Sequence, residues 1–381
     1  MPEASELLVL FCMFAGGAAA LWLWPRDIIP FLPPQRLRAM PWGLRECLFA
    51  LFMIFIFPGI IILMLYQSGF FEWVYGPEFH KALGDPKAAG NQQATSRANL
   101  WVIVIGLPFQ VSAILWSFHT SSGTLPYQLG LTTHRWRQDL ALGFIGWLVL
   151  TPVIFVLNFA VIVYCQVVLQ VEPEMHGFDQ LAKGQLLPVE WWLLAASAVV
   201  AAPVLEELVF RGILLQYLSR KWWGGQAALA GSLALAILFR GQGIQAALGD
   251  REWGKLVWEL QPIFFVLLLA AVFELRRLRY WLGSSAIFGT AALFAMAHGA
   301  VWPSPVPLFP LGLVLGWLAY RTQSLVAPML LHALFNSVAV VLLLLTPAQQ
   351  EKGKELTTPD RRPPVISTST FVPGSWWPRR M

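Results

Sequence analysis

Charge is what this 381-residue chain has least of: Asp, Glu, Lys and Arg together make up 12% of it, about half the usual share of a soluble domain. So few charges cannot cover a water-exposed surface, which excludes an ordinary soluble fold. Cysteine is nearly as scarce. Cys12, Cys47 and Cys165 lie in or at the ends of apolar runs, at no metal-like or disulfide-framework spacing, and read as packing residues. No glycine-rich segment ends in Lys-Ser or Lys-Thr, so no phosphate-binding loop is present and ATP-driven work is excluded. The His-Glu-x-x-His helix of zinc proteases is missing as well. The net charge of +5 reads as loop arginines beside anionic lipid rather than as a nucleic-acid patch.

What is there is hydrocarbon. Apolar residues reach 57%, with 19 Trp and 26 Phe, and runs near the ~20 residues that cross a bilayer recur along the chain. In lipid the backbone must satisfy itself, and segments this long and uniform suit helices rather than barrel strands. The expected fold is an all-α, polytopic transmembrane bundle of eight to ten spans. Candidate spans are 6–24, 48–66, 100–118, 140–164, 190–205 with an extension to about 218, 284–302, 307–320 and 325–345. Two runs, 227–239 and 262–273, are short enough to be re-entrant. Glu3 and Glu6, with no Lys or Arg beside them, are wrong for a signal peptide, so the first run reads as a retained span. Pro58, Pro108 and Pro152 fall within spans and suggest kinks.

Three regions follow: an N-terminal transmembrane region at 1–189, a helical core at 190–346 with an inserted segment at about 222–282, and a tail at 347–381. The tail is rich in Pro, Ser, Thr and charge and reads as disordered; 76–99 reads as a surface connection. Lys and Arg mark cytoplasmic loops. Arg26, Arg36, Arg38 and Arg45 mark the first, Arg135 and Arg137 the third, and Arg220 and Lys221 the loop after 218. Arg276, Arg277 and Arg279 are cytoplasmic too, so an even number of crossings separates them from Lys221. Either both short runs cross as a hairpin or neither does. Lys352, Lys354, Arg361 and Arg362 in the tail run against this orientation.

Three polar constellations interrupt the apolar helices. In AAPVLEELVFRGILL, Glu207 and Arg211 are four residues apart and face each other as an ion pair. Glu206 points about 100° away with no local partner. A lone carboxylate at membrane depth costs about 2.5–3.5 kcal/mol unless it meets water or protein. In GTAALFAMAHGAVW, Phe294 and His298 share a helix face. In SLVAPMLLHALFNSVAVV, His332 and Asn336 are one turn apart. Each has a plain structural explanation: a helix end at the interface, a packing histidine, an interhelical hydrogen bond. Together they offer a free carboxylate, two imidazoles and a carboxamide from three helices. Carboxylate plus imidazole suits water activation, and imidazole plus amide suits an oxyanion.

EELVFR, LFAMAH and HALFN fit Glu-Glu-x-x-x-Arg, Phe-x-x-x-His and His-x-x-x-Asn in that order, and so resemble the motifs of the CAAX-protease and bacteriocin-processing family of intramembrane endopeptidases. LGLVLGWLAYRTQSLVAPMLLHALFNS, from Leu311 to Ser337, is similar to that family's third and fourth motif region, and LPYQLGLTTHRWRQDLALG is a weaker echo of the stretch before its core. The resemblance implies Glu206 as base on water, His298 completing its activation, His332 and Asn336 on the oxyanion, and Glu207 with Arg211 and Phe294 in support. It implies a peptide or protein substrate, lipidated in CAAX-type processing, within membrane lipid, and an active site facing the cytoplasm. No cofactor is assigned; Glu206, His298 and His332 are the ligands if a divalent metal such as zinc is present. The inserted segment departs from the family's short connection and would cap or narrow the cavity. Against the endopeptidase stand a non-enzymatic adaptor or bacteriocin self-immunity protein using the same polar cluster, and a transporter, for which no inverted repeat is evident. Gly312 and Gly316 are spaced for close helix packing.

Overall fold

The computed structural model describes residues 40–88, 90–171, 174, 181, 186–278 and 282–345. The expected first span at 6–24, Cys12 and the tail lie outside them. Among the described residues there is no strand. Lipid offers the peptide no hydrogen bonds, and helices supply all of theirs internally.

In chain order the helices are α1 Leu44–Phe55, α2 Phe57–Gln67, α3 Phe70–Tyr75, α4 Pro77–Gly84 and α5 Asn91–Ser122. A short 3-10 turn, Pro126–Leu129, leads to α6 Trp136–Leu169 and α7 Pro188–Leu218. Then come α8 Gly224–Gly249, α9 Trp253–Leu275, α10 Leu282–Ala297, α11 Pro305–Thr322 and α12 Val326–Leu345. Six of them, α5 to α9 and α12, are long and apolar enough to cross a bilayer, and the α1–α2 pair makes a seventh if its 42° bend is one broken span. Pro58 supplies that bend, since its ring excludes a helical N–H at the start of α2. Pro108 and Pro152 sit inside α5 and α6, each of which runs on as one helix.

Several boundaries differ from the sequence expectation. The two short runs are the apolar middles of α8 and α9, which pack against each other, so the hairpin alternative is the one observed. The 284–302 run ends as a helix at Ala297, leaving α10 with 16 residues, about 24 Å of rise. α11 carries three prolines, at 305, 307 and 310. Neither α10 nor α11 meets the length and hydropathy of a full crossing, which accounts for the smaller number of spans. The 76–99 connection is partly helical: α4 occupies it, and Asn91 Nδ2 donates to the Ala82 carbonyl at 2.8 Å.

α7 is the central helix. Its most apolar window is 61% buried, against 22–33% for the other five crossing helices. Leu208, Val209, Phe210 and Ile213 pack with residues of α1, α5, α10, α11 and α12 in one core. The segment before α6 closes one end of this core, where the Gly130 carbonyl accepts from Leu325 N–H at 2.9 Å, at the entry to α12. Cys47 and Cys165 are buried free thiols, in keeping with packing.

Candidate active site

α7 carries the carboxylates, and it is not a uniform helix. Two stretches, Ala196–Ala201 and Glu207–Leu214, are wound as π-helix. Pro203 lies between them, and its missing N–H and bulky ring favour a widened turn just before it. Such widenings concentrate at functional sites. Glu206 occupies the junction before the second stretch.

Glu207 and Arg211 pair as their spacing requires: Arg211 Nη1 donates to Glu207 Oε1 at 2.9 Å, and both side chains are essentially fully buried. The guanidinium gains two further neighbours, the Gly312 carbonyl at 3.5 Å and the face of the Phe294 ring at 4.2 Å. A buried cation over an aromatic face is stabilised by the ring quadrupole. Phe294 also meets both imidazoles edge to face, His298 at 5.1 Å and His332 at 5.7 Å between centroids. One ring thus spaces three charged or basic groups.

His332, on α12, is held by Glu207 Oε1 at 2.9 Å from its Nδ1. The contact occupies Nδ1 and leaves Nε2 turned toward Glu206. That Nε2 lies 4.0 Å from Glu206 Oε2. His298 repeats the arrangement from the other side. It does not lie within a helix, as the sequence led us to expect, but in the turn that follows α10. Its Nδ1 donates to the Phe294 carbonyl at 3.0 Å, satisfying one of the last carbonyls of that helix, and its Nε2 stands 4.0 Å from Glu206 Oε1. The Phe294–His298 spacing survives the end of the helix because ring and carbonyl both belong to the last turn.

Glu206 is therefore the group without a bond. Its Oε2 is buried and has no hydrogen-bond partner, and one ring nitrogen of each histidine faces its two oxygens. Access is on the His298 side: side-chain exposure is 29% for His298 and 17% for Glu206, but 5% for His332. Asn336, one turn after His332, donates from Nδ2 to the Ala198 carbonyl on α7 at 2.8 Å. That carbonyl, like the one of Gly312, is a site contact that no side-chain motif announces; the small residues at both positions are its only trace in the sequence.

The donor set has metal-ligand chemistry, yet its spacing does not suit a metal. Two atoms 4.0 Å apart subtend about 90° at a water oxygen about 2.8 Å from each. At about 2.1 Å from a zinc ion they would subtend about 145°, far from tetrahedral. Among the described residues no group of three His, Cys, Asp or Glu is spaced to hold a metal ion.

The three sequence motifs thus converge on one point. Residues 188–279 and 263–338 match the family described as type II CAAX prenyl endopeptidase Rce1-like. This helical core is similar to that family. The match takes in α7 to α11 and most of α12, with every motif residue, and leaves 1–187 outside it. Its two pieces overlap at 263–279, mostly within α9. No curated protein and no solved structure shows a significant match to the chain. The family indicates a protease, a hydrolase acting on peptide or protein substrates, and with the apolar helices it marks an integral membrane protein.

Proposed function

We propose that the chain is an intramembrane endopeptidase in which Glu206 activates water. The observation that carries this is the unpartnered Glu206 carboxylate between two imidazole nitrogens, each 4.0 Å away. A water in the Glu206–His298 gap donates one hydrogen to Glu206 Oε1 and the other to His298 Nε2. Its lone pairs then face outward, on the more exposed side, toward an incoming carbonyl carbon. As the C–O bond forms, Glu206 takes the proton. The carbonyl oxygen becomes an oxyanion, which needs donors placed for it. We assign that role to His332 and to Asn336, which has a second amide hydrogen beyond the one given to Ala198. Collapse of the tetrahedral species breaks the C–N bond, and the proton held by Glu206 passes to the leaving amine. Arg211 holds Glu207 Oε1 in place, and Glu207 Oε1 in turn holds His332 in register.

The substrate class in this reading is a lipidated protein with a C-terminal peptide to be removed, following the family's description. One side of the helix bundle carries the marks of a cytoplasmic face. Arg135, at the entry to α6, Arg220 and Lys221, after α7, and Arg276 and Arg277, after α9, flank one set of helix ends, the bias of cytoplasmic loops.

The test is product mass spectrometry on purified protein with prenylated and unprenylated C-terminal peptides. Glu206→Ala, His298→Ala and His332→Ala are each expected to abolish cleavage while eluting as folded protein. Undiminished cleavage by all three would remove the assignment.

A further inference from the structure

A second ionic cluster lies beside the site, built around Arg240 of α8. Arg240 is 5% exposed, and its guanidinium meets Glu174 as a fork, Nη1 to Oε1 at 2.6 Å and Nη2 to Oε2 at 2.8 Å. Nη1 also reaches Glu259 Oε2 on α9 at 3.4 Å. From the sequence, 240–255 reads as a loop, because the apolar run stops at Arg240. The helix continues to Gly249 instead, because the arginine is neutralised rather than exposed. Gly243 makes this possible: a Cβ there would lie 2.5 Å from the Glu259 carboxyl carbon.

The cluster ends on the backbone of the catalytic turn. Arg240 Nη2 donates to the carbonyl of Gly299, the residue after His298, at 3.2 Å. Glu174 Oε2 accepts from the Trp302 N–H at 2.8 Å, and Glu174 N–H donates to the Trp302 carbonyl at 3.1 Å. Trp302 Nε1 donates to Gln261 Oε1 of α9 at 2.7 Å. The turn that carries His298 is thus held at both ends by the inserted hairpin and by Glu174. None of these groups faces Glu206 or His332. The His298 ring is held through Nδ1 by the Phe294 carbonyl, and its backbone is bonded within the same turn to Ala295 and Val301, so the lie of that turn sets where Nε2 stands.

We infer that Arg240 is a positioning residue: through Gly299 and Glu174 it fixes the His298 turn, making the inserted hairpin a working part of the active site rather than an appended cap. The inference rests on the reading of His298 as a water-activating group. A misplacement of about 1 Å in such a group can cost about a hundredfold in rate, and an arginine fork is not replaced by a point charge without loss.

Three full-length proteins test it, with hydrogen–deuterium exchange across 296–304 and steady-state cleavage as readouts. Arg240→Ala is expected to speed exchange at the Trp302 amide at least about tenfold and to lower kcat about 10- to 100-fold with KM within about threefold. Arg240→Lys, which keeps a charge for Glu174, is expected to recover at least about a third of wild-type kcat. Gln110→Ala, which loses a buried bond between α5 and the Met53 carbonyl of α1, two helices that carry no motif residue, is expected to lower thermal stability while leaving kcat within about twofold. If Arg240→Ala does not fold, Glu174→Gln takes its place with a smaller loss of the same pattern. Unchanged exchange at 296–304, or a kcat loss matched by Gln110→Ala at equal stability, would overturn the inference. A wild-type chain that cleaves nothing would overturn the endopeptidase reading instead, and faster exchange in Arg240→Ala would then mark the cluster as an anchor alone.

Discussion

Arg211 and Arg240 are both buried in apolar helices, and each sits with two glutamates, but the two clusters end differently. Around Arg240 the charges are absorbed: the guanidinium holds Glu174 by two bonds, and Glu259 is within 3.4 Å. Around Arg211 one carboxylate is absorbed and its neighbour is not. Glu207 is held by Arg211 and His332 through Oε1, its Oε2 remaining without a partner, while neither oxygen of Glu206 is closer than 4.0 Å to the ring nitrogens that face it. Ionisable groups within a membrane are costly and are normally paired. The Arg240 cluster ties three segments together, and the Arg211 cluster leaves Glu206 free for the chemistry proposed above. The adjacent residues Glu206 and Glu207 show the same contrast within one helix turn.

Perturbing the two carboxylates separately should sharpen that contrast. Glu207→Gln leaves Arg211 buried without its countercharge and should cost about 3–5 kcal/mol of stability, read as a collapse of folded yield or a large drop in Tm. Phe294→Leu removes the face beneath Arg211 and the edge contacts to both imidazoles, a loss of about 1–2 kcal/mol. Activity should fall further than stability in that variant, because both rings lose their spacer; a Tm loss without any kcat loss would count against the spacer role. Asn336→Ala gives up the bond to Ala198 and should cost about 1 kcal/mol, with kcat lower by about tenfold if its second hydrogen serves the oxyanion. Glu206→Gln should be the mildest for stability, within about 0.5 kcal/mol of wild type, because the buried Glu206 Oε2 makes no hydrogen bond for the change to break. A Glu206→Gln protein as unstable as Glu207→Gln would erase the distinction between the two clusters.

The three motifs were readable because charge in hydrocarbon is conspicuous and helical spacing is rigid: Glu207 had to meet Arg211, and Glu206 had to point elsewhere. The parity of basic loops likewise restricted 227–239 and 262–273 to a hairpin or to no crossing at all, and α8 and α9 form the hairpin. Other features were hidden for a common reason, that an apolar run and a helix end under different rules. A run stops at the first charge, but α8 passes Arg240 because Glu174 and Glu259, distant in sequence, neutralise it. Conversely, the 284–302 run stays apolar past Ala297, where α10 stops and His298 turns to cap the Phe294 carbonyl. The bond from Asn336 to a backbone carbonyl leaves no mark in side-chain patterns. Nor does the closeness of α10 to α11, where a Cβ on Gly312 would lie 3.1 Å from Ala291 Cα, beyond the small residue that permits it.

The most direct measurement is cleavage of a prenylated C-terminal peptide in H2(18)O by the purified chain and by Glu206→Gln, followed by product mass spectrometry. The expected result is a new C-terminal carboxylate carrying one heavy oxygen from the wild-type chain, and at least about a thousandfold less product from the variant. Cleavage by Glu206→Gln at a rate near wild type would contradict the assignment of Glu206 as the base.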